Sequence, residues 1–448
     1  MSRKSQVVIC GAGIAGISAA YHLSKVGFRD ILIVDPRPPL SLTSNMSTEG
    51  YRNWWPDPAL LSLMNRSIDL LEQLAAESGN VFRMNRRGYL YVTGNDEGVH
   101  AFAARAAHVA DLGAGPLRIH TGSDAGYSST PEDPHASGAD LLLDPDLIQK
   151  HFPCLTTRAI AALHVRRAGW LSAQQLGMYL LEQARERGVR LEAAQVESIA
   201  QSGGRVRSVR LSSGEHVDCE LFVDAAGPFV KQVGRMLDLD IPVRTELHLK
   251  VSFNDHLGII PRDAPLMIWE DEQLLPWDAD EGLALEDDLE TRWLTERFPA
   301  GVHARAEGSD ANQTVLMLWD YAAKFMEPVF PPPLDNVYPE VVLRGLSTML
   351  PGLTRYFGRA PRPYIDGGYY VKTAENRLLC GPLPVEGAYV IGALSGYGIM
   401  SCCAAGELLA AHMSNSQLPL YARAFRIDRY DDPAYMQALS EVDNSGQL

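Results

Sequence analysis

Three glycines near the start of the sequence and one acid downstream have the spacing of a phosphate-binding turn. Gly11, Gly13 and Gly16 form the pattern Gly-x-Gly-x-x-Gly, and Asp35 follows nineteen positions after the last glycine. In such a pattern the first glycine permits a tight turn, the second lets a pyrophosphate approach the backbone, and the third lets a helix pack closely on a strand. An acid at this distance can accept a hydrogen bond from a ribose hydroxyl group.

The residues around this pattern predict the elements that must position it. The apolar run 6–10 predicts a buried strand, the segment ISAAYHLSKVG predicts a helix, and the run 31–34 predicts a second strand that ends at the acid. Strand, glycine turn, helix and second strand together indicate a dinucleotide site, with the helix N-terminus facing the phosphates. An acid rather than an arginine at the ribose position disfavours a 2′-phosphate, which leaves FAD and NAD as candidates.

A second glycine pair lies near the end of the sequence in a similar setting. Gly396 and Gly398 follow the apolar run 389–391 and precede a helix-like run of small residues. A helix N-terminus carries a partial positive charge, so this turn is a second place that favours an anion. A nicotinamide cofactor needs one such helix start. A flavin needs a second one for its ring, whose reduced form carries negative charge near N1 and the C2 carbonyl. The second turn therefore favours FAD.

The middle of the sequence predicts a strand that reaches the same site. The segment LGMYLLEQARERG predicts a helix, and residues 206–211 and 220–224 predict a β-hairpin with its turn at 213–215. The second strand of this hairpin ends in small residues, which would let it come close to the first glycine turn.

Composition and charge limit the class of protein. The 448 residues indicate two domains, and the net charge of −15 argues against nucleic acid or an anionic membrane surface as the main partner. No uninterrupted apolar run is long enough to predict a transmembrane segment. The sequence enters a strand pattern at once, so we expect no signal peptide and a cytoplasmic protein. The six scattered cysteines are expected to be reduced core residues rather than metal ligands.

Taken together, these motifs resemble the D-amino-acid oxidase superfamily of flavoproteins, near its sarcosine oxidase, glycine oxidase and D-amino-acid dehydrogenase members. The resemblance rests on GAGIAG with Asp35, and on the segments TSNMSTEGYR, GWLSAQQLGMYLLEQARERGV, LFVDAAGPF and ENRLLCGPLPVEGAYVIGALSGYGIM. It implies an α/β fold in which a Rossmann-like FAD-binding domain carries an inserted α+β substrate domain built on an antiparallel sheet. The implied FAD-binding domain is discontinuous (1–80, 145–245 and 360–448), and the substrate domain comprises 81–144 and 246–359.

The resemblance also implies which residues contact the cofactor. Besides the two glycine turns, it assigns this role to the segment after the second strand, which wraps the flavin. The implied FAD-binding residues are Gly11, Gly13, Ala15, Gly16, Asp35, Pro36, Arg37, Ser44, Asn45, Ser47, Val196, Ala226, Gly227, Gly396, Tyr397, Gly398 and Ile399.

Four residues are candidates for contact with a substrate. Arg52 matches the arginine that pairs a substrate carboxylate in sarcosine-oxidase-like members, and a guanidinium group suits that planar anion. The alternative for Arg52 is a structural ion pair with Glu49. Tyr370 matches a tyrosine that lines the same pocket, although it could instead pack under the flavin edge. Tyr321 stands near the position of a histidine in relatives, and His248 lies in a predicted strand from which it could face a pocket.

The sequence also departs from the family pattern at four places. Relatives that bind FAD covalently use a histidine near Asn45 or a cysteine near Gly368, and neither is present, so we expect non-covalent FAD. Met400 replaces a lysine that holds a carboxylate in some relatives, and Met317 replaces an oxygen-activating lysine. The pocket is therefore expected to be more apolar and aromatic than that of a small-amino-acid oxidase.

The activity implied by the resemblance is oxidation of a C–N bond in an amine or amino acid, by hydride transfer to flavin N5. The electron acceptor would be oxygen or another carrier. Two alternatives stay open, namely oxidation of a 2-hydroxy acid on the same scaffold and a flavin-binding partner protein without turnover. Residues 113–138 predict a mobile loop and the acidic residues 270–296 a surface insertion, and neither segment has metal-ligand spacing.

Overall fold

Two large β-sheets organise the chain, and the computed structural model describes residues 3–122, 126–130, 135–308, 312–321 and 323–441. In these ranges the strands are β1 (Arg3–Cys10), β2 (Ile31–Val34), β3 (Gly50–Arg52), β4 (Tyr89–Thr93), β5 (Leu117–His120), β6 (Ala139–Leu142), β7 (Ala161–Val165), β8 (Ala168–Trp170), β9 (Arg190–Glu192), β10 (Val196–Ser202), β11 (Arg205–Leu211), β12 (His216–Asp224), β13 (Arg244–Asn254), β14 (Leu266–Trp269), β15 (Val302–Ala306), β16 (Thr314–Leu318), β17 (Tyr364–Lys372), β18 (Leu379–Pro382) and β19 (Ala388–Gly392).

The α-helices in the same ranges pack on these sheets or connect their strands. They are α1 (Ile14–Lys25), α2 (Pro58–Ser78), α3 (Val99–Val109), α4 (Pro145–His151), α5 (Ala173–Glu186), α6 (Val230–Arg235), α7 (Ala279–Asp287), α8 (Tyr338–Met349), α9 (Gly398–Met413) and α10 (Pro433–Glu441).

The first sheet has eight strands and contains the predicted phosphate-binding elements. Strands β12, β1, β2 and β9 lie side by side in parallel, β19 pairs in parallel with the end of β12, and β10 and β11 complete the predicted hairpin. Val7, Val8 and Ile9 of β1 are completely buried. A strand buried on both faces reads as one continuous apolar run, which is why the sequence predicted it. The carboxyl ends of these parallel strands meet at one edge of the sheet.

Helices α1 and α9 pack tightly against each other on this sheet. The Ser18 hydroxyl group donates a hydrogen bond to the Cys402 carbonyl oxygen at 2.8 Å, and a Cβ atom on Gly406 would lie 2.5 Å from Ser18 Oγ. Helix α1 begins after Gly13 and α9 begins after Tyr397, and neither capping residue supplies a side-chain hydrogen bond. The Ile14 N–H at the start of α1 donates to Ser44 Oγ at 3.1 Å, so the N–H groups that follow it in the first turn, and those at the start of α9, are the ones that a ligand could use.

The second sheet has nine strands in the order β17-β13-β16-β15-β14-β4-β7-β6-β5. Its pairs are antiparallel except for β14 with β4 and β5 with β6. The predicted fold class, a Rossmann-like part with an α+β part on a mainly antiparallel sheet, is therefore confirmed. Strands β7 and β17 belong to this second sheet, although the predicted boundaries place their residues with the FAD-binding segments. The domain boundaries themselves stay a prediction.

Both segments that were predicted to be irregular, 113–138 and 270–296, contain regular secondary structure. Within 113–138, Leu117–His120 forms β5 because it pairs with β6, and this tertiary pairing outweighs the glycine-rich local composition. Residues 123–125 and 131–134 of the segment lie outside the described residues. Within 270–296, Ala279–Asp287 forms α7, none of whose residues is buried, as expected for a surface insertion.

The described residues contain no helix that is long and apolar enough to cross a membrane. In the same part of the chain, no group of three or more His, Cys, Asp and Glu side chains could hold a metal ion. All six cysteines are unpaired, and all but Cys154 are buried.

Asp224, at the end of β12, should make stability depend on pH. Its carboxyl group is completely buried, Oδ2 has no hydrogen-bond partner, and burial raises the pKa of the carboxyl group well above its usual value. A raised folded-state pKa means that the free energy of unfolding falls as pH rises from about 4, the unfolded value, through the folded value. We expect Asp224→Asn to raise the melting temperature at pH 8 by roughly 2–4 °C and to change it less at pH 4.5. A variant that is less stable than wild type at pH 8 would contradict this explanation.

Candidate active site

A cavity of about 470 Å³ lies at the carboxyl edge of the first sheet, in front of the starts of α1 and α9. Both glycine turns therefore open into one space, as the sequence predicts for a ligand that needs two helix N-termini. The predicted FAD-binding residues that line this cavity are Gly11, Gly13, Ala15, Asp35, Pro36, Arg37, Ser44, Ser47, Val196, Ala226, Gly227, Gly396, Gly398 and Ile399.

The three glycines of the first turn have different surroundings. Gly11 has φ +115°, and a Cβ atom there would lie 2.3 Å from the Ala225 carbonyl oxygen, where β12 ends. A Cβ atom on Gly16 would lie 2.0 Å from the Gly11 carbonyl oxygen. At Gly13 the nearest heavy atom to such a Cβ atom is Ser44 Oγ at 3.6 Å. The first and third glycines therefore permit packing, whereas the second leaves its backbone open to a phosphate.

Asp35 orders the turn that it was predicted to complete. Its Oδ2 atom accepts a hydrogen bond from the Ala12 backbone N–H at 2.8 Å, and its Oδ1 atom accepts one from the Arg37 N–H at 2.9 Å. Each carboxylate oxygen has a further lone pair, so these bonds leave Asp35 able to accept from a ribose hydroxyl group. The ribose contact stays a prediction.

Three of the predicted FAD-binding residues do not line this cavity. Gly16 lies beneath the turn. The Asn45 side chain accepts a hydrogen bond from Gln174 Nε2 at 2.7 Å in an exposed position. Tyr397 is buried, donates its hydroxyl proton to the Asn376 carbonyl oxygen at 2.5 Å, and lines a second cavity instead.

This second cavity has a volume of about 280 Å³ and lies between the second sheet and the start of α9. Tyr370 and Gly396 line both cavities. Gly396 has φ +83°, and a Cβ atom on it would lie 2.3 Å from the Tyr370 ring, so only glycine lets the ring lie against this turn. Tyr370 therefore forms the boundary between the two spaces.

Arg52 lines the second cavity and has no ion-pair partner among the described residues. It is only 7% exposed, and its Nη2 atom makes no hydrogen bond. Its guanidinium group lies 4.4 Å from the ring centre of Trp55. Glu49, the alternative partner, instead pairs with Arg305 at 3.4 Å. Glu270 in the same cavity wall interacts electrostatically with Arg52 but makes no direct ion pair with it. A ligand carboxylate would supply the acceptor that the buried Nη2 donor lacks.

His248 lies behind Tyr370 rather than in the cavity wall. The two rings stack with their centres 3.8 Å apart and their planes at 17°. His248 Nδ1 is 2.7 Å from Asp320 Oδ1, and Nε2 is 3.0 Å from Glu246 Oε2. Burial acts to lower the pKa of the imidazole, but these two carboxylates outweigh it and hold the pKa above the usual value. The sequence placed His248 near the site but gave no sign of its two acidic partners.

Tyr321 lies away from both cavities, which corrects its assignment as a substrate-contacting residue. Its ring packs among the aromatic side chains Trp293, Phe298, Trp319 and Tyr338. The neighbouring residue Asp320 lines the second cavity instead. Adjacent residues in an extended chain point to opposite sides, so an error of one position moves a side chain from the pocket to the core.

The second cavity is aromatic as expected, but it is more polar than the sequence indicated. Met400 lines it, whereas Met317 is buried in the core of the second sheet. The unexpected polar side chains are Glu270, Asp320 and His303. Glu270 belongs to the segment that was predicted to be a surface insertion. Leu318 lines the cavity, and side chains two positions apart in an extended chain point to the same side. This alternation is the signal that could have placed Asp320 in the cavity wall.

The fold and the paired cavities define a dinucleotide-binding α/β oxidoreductase with a separate, charged pocket next to its cofactor site. The chain belongs to the family of FAD dependent oxidoreductases known as DAO, whose sequence profile matches residues 6–412.

Individual relatives are distant in sequence but close in fold. Human mitochondrial dimethylglycine dehydrogenase is 26% identical over 342 residues, which are 73% of this chain and 36% of that protein. The mouse mitochondrial pyruvate dehydrogenase phosphatase regulatory subunit is 27% identical over 266 residues, 59% of this chain and 27% of that protein. The matched part spans about a third of the length of the mitochondrial dimethylglycine dehydrogenases. The crystal structure of L-proline dehydrogenase from P. horikoshii has a TM-score of 0.75 at 19% identity and covers 96% of this chain and 99% of that one.

Two alanine variants separate the packing and binding roles of the first glycine turn. Gly16→Ala forces α1 away from the Gly11 carbonyl oxygen and should lower the free energy of unfolding of the apoprotein by about 1–3 kcal/mol, a typical cost of overpacking. Gly13→Ala has room for its methyl group and should leave the apoprotein's melting temperature unchanged. It should weaken FAD binding at least about tenfold, or 1.4 kcal/mol, because the methyl group lies between the backbone and the pyrophosphate. Denaturant unfolding and FAD titration measure these effects, and equal destabilisation by both variants would contradict the assignment.

Proposed function

We propose that this protein oxidises the C–N bond of an amine that also carries a carboxylate group, with FAD as a non-covalent cofactor. The observation that carries the proposal is Arg52, a buried guanidinium group with an unused donor in the wall of a cavity that adjoins the cofactor site. The substrates named for two relatives agree with this class, since dimethylglycine and proline are both amines with a carboxylate.

The residues of the larger cavity fit FAD. The open backbone at Gly13 and the start of α1 would hold the pyrophosphate, and the start of α9 at Gly398 would face the ring. No histidine lines this cavity in the part of the chain that the structure describes, and its one cysteine is Cys10, beside the pyrophosphate turn. Burial raises the pKa of the Cys10 thiol well above its usual value, so it is a poor nucleophile. These features support non-covalent attachment.

In the proposed reaction, this chain binds and orients the substrate. Bound FAD supplies a two-electron acceptor that takes a hydride from the carbon next to the nitrogen. Arg52 binds the substrate carboxylate at one end of the second cavity. Tyr370 and Gly396 form the side that adjoins the cofactor, and aromatic side chains such as Trp55 and Tyr89 reduce access of water. Such a reaction needs placement and a neutral amine more than it needs a strong acid or base.

Two other functions remain as alternatives. Similarity to a regulatory subunit favours a flavin-binding partner protein without turnover. The same cavity could also hold a 2-hydroxy acid, because Arg52 would bind its carboxylate equally well. Anaerobic mixing with sarcosine, dimethylglycine, proline and lactate distinguishes the three, since flavin bleaching by an amine, by lactate or by none of these compounds supports a different function. Reoxidation in air-saturated buffer then tells whether oxygen or another carrier accepts the electrons.

The attachment of the cofactor can be tested directly. We expect acid precipitation of the purified protein to release all of its flavin as FAD into the supernatant, because neither a histidine nor a reactive cysteine adjoins the proposed ring position. Chromatography of the supernatant identifies the flavin. Yellow colour that stays with the precipitated protein would contradict non-covalent binding.

Arg52→Ala should lower kcat/KM for the amine substrate by roughly thirtyfold to several thousandfold. This range corresponds to the 2–5 kcal/mol that is typical for removing one partner of a buried charge pair. Arg52→Lys should recover only part of the loss, because an ammonium group cannot donate two parallel hydrogen bonds. FAD content should not change. The matched control is Arg66→Ala, which removes an exposed arginine paired with Glu407 at 2.6 Å, far from either cavity wall. Activity of Arg52→Ala within a few fold of this control would show that Arg52 is structural.

A further inference from the structure

Asp320 presents a carboxylate to the second cavity that the proposed carboxylate binding by Arg52 does not use. It lies two residues beyond the end of β16 and two residues after Leu318, which lines the same cavity. Although its surroundings are deep in the protein, 48% of its side-chain surface is accessible. Asp320 is among the residues that line the cavity, so part of its side chain is open to the space where a substrate would bind.

A chain of charged groups fixes the Asp320 carboxylate in place. Its Oδ1 atom is 2.7 Å from His248 Nδ1, the other ring nitrogen of His248 is 3.0 Å from Glu246, and Glu246 pairs with Lys372 at 2.6 Å. Both nitrogens of His248 are therefore engaged, and the ring is also stacked on Tyr370. Oδ2 of Asp320 has no hydrogen-bond partner among the described residues, and the residue lines the cavity. An oriented carboxylate of this kind is a suitable partner for a cationic nitrogen.

Asp320 lies near the end of the second cavity that adjoins the proposed flavin site. Tyr370 separates the second cavity from the proposed flavin site, and His248, which holds Asp320, lies flat against Tyr370. The carboxylate is therefore placed near the boundary that the reacting C–N bond must approach.

The other charged groups of the cavity leave these two residues as the principal pair. Glu270 pairs with Arg105 at 3.4 Å and also interacts electrostatically with Arg52, so two cations already offset its charge. His303 Nδ1 donates a hydrogen bond to the Gly301 carbonyl oxygen at 2.8 Å, and this bond orients the imidazole ring. Arg52 and Asp320 thus supply one unpaired donor and one unused acceptor to the same cavity, which is the pattern that a zwitterion would satisfy at both ends.

We propose that Asp320 binds the ammonium group of the incoming substrate while Arg52 binds its carboxylate, so that the pocket selects amino acids over carboxylates that lack a cationic nitrogen. One ammonium proton then moves to the Asp320 carboxylate, which leaves the neutral amine that hydride transfer requires. This inference rests on the proposed function, because it assumes that Arg52 holds a carboxylate. It deepens that function by assigning the recognition of the amine to one residue, with His248 as a positioning residue behind it. A 2-hydroxy acid offers the Asp320 carboxylate no cationic nitrogen and is therefore a disfavoured substrate.

Two ligands of nearly equal shape test this assignment without turnover. 2-Aminoisobutyrate and pivalate differ by an ammonium group in place of a methyl group, and neither has a hydrogen on the central carbon that could be transferred. Isothermal titration of the FAD-loaded protein, together with flavin difference spectra, gives the affinity of each ligand. We expect wild type to bind 2-aminoisobutyrate at least about tenfold more tightly than pivalate, as removal of a buried charge partner typically costs more than this.

Variants locate the residue responsible for this preference. Asp320→Asn should reduce the affinity ratio of the two ligands to within about threefold, mainly by weakening 2-aminoisobutyrate. Asp320→Ser serves in the same comparison if the amide variant does not fold. Arg52→Ala should weaken both ligands by a similar factor and leave their ratio unchanged. FAD content and melting temperature check that each variant is folded.

The outcomes separate failure of this inference from failure of the proposed function. Binding of both ligands that depends on Arg52, with no preference for the cation in wild type, would overturn the role of Asp320 alone. If Glu270→Gln loses the preference for 2-aminoisobutyrate over pivalate and Asp320→Asn keeps it, the role of Asp320 is also overturned. Glu270 would then be the residue that binds the amino group. Absence of any binding that depends on Arg52 would overturn the proposed function and this inference together.

Discussion

The close backbone approach at the first glycine turn is the constraint on which the rest of the structure depends. Gly11 contacts the end of β12, and Gly16 lets the start of α1 lie directly over Gly11. With α1 held there, the contact between Ser18 and Gly406 fixes α9 beside it. Two helices from opposite ends of the chain thereby begin at the same cavity. The partial positive charge of the two helix starts makes that cavity favourable for an anion before any charged side chain contributes.

The second cavity arises from a different kind of contact, between the second sheet and the turn that precedes α9. Tyr370 comes from β17 and packs against Gly396. This contact places the second cavity directly beside the larger one. The charges around it are distributed unevenly. A guanidinium group with an unused donor atom lies on one part of the wall, and a carboxylate in a chain with three further charged side chains lies on another. This separation of charge, rather than the size of the cavity, would determine the orientation of a bound zwitterion.

Local patterns predicted the first sheet well because each of its signals lies within a short segment. The run before Gly11, the spacing to Asp35 and the small residues after β12 can each be read without knowledge of distant residues. Asp320 and Glu270 could not be assigned to the pocket, because only the pairing of strands from separate segments brings them to the same wall as Arg52. The assignment of Tyr321 shows the effect of a one-residue error in alignment. The preceding residue, Asp320, lines the cavity, whereas the Tyr321 ring packs in the core.

Tyr370 has a consequence for how this protein could diversify. One aromatic ring forms part of the wall of both cavities. A replacement that enlarges the substrate space also changes the surroundings of the proposed flavin ring, and with them the ring's reduction potential. The proposed position of the flavin ring therefore links substrate range to redox tuning. A descendant that accepts a bulkier amine through this position would inherit a shifted electron affinity, and restoring it would require a second change elsewhere.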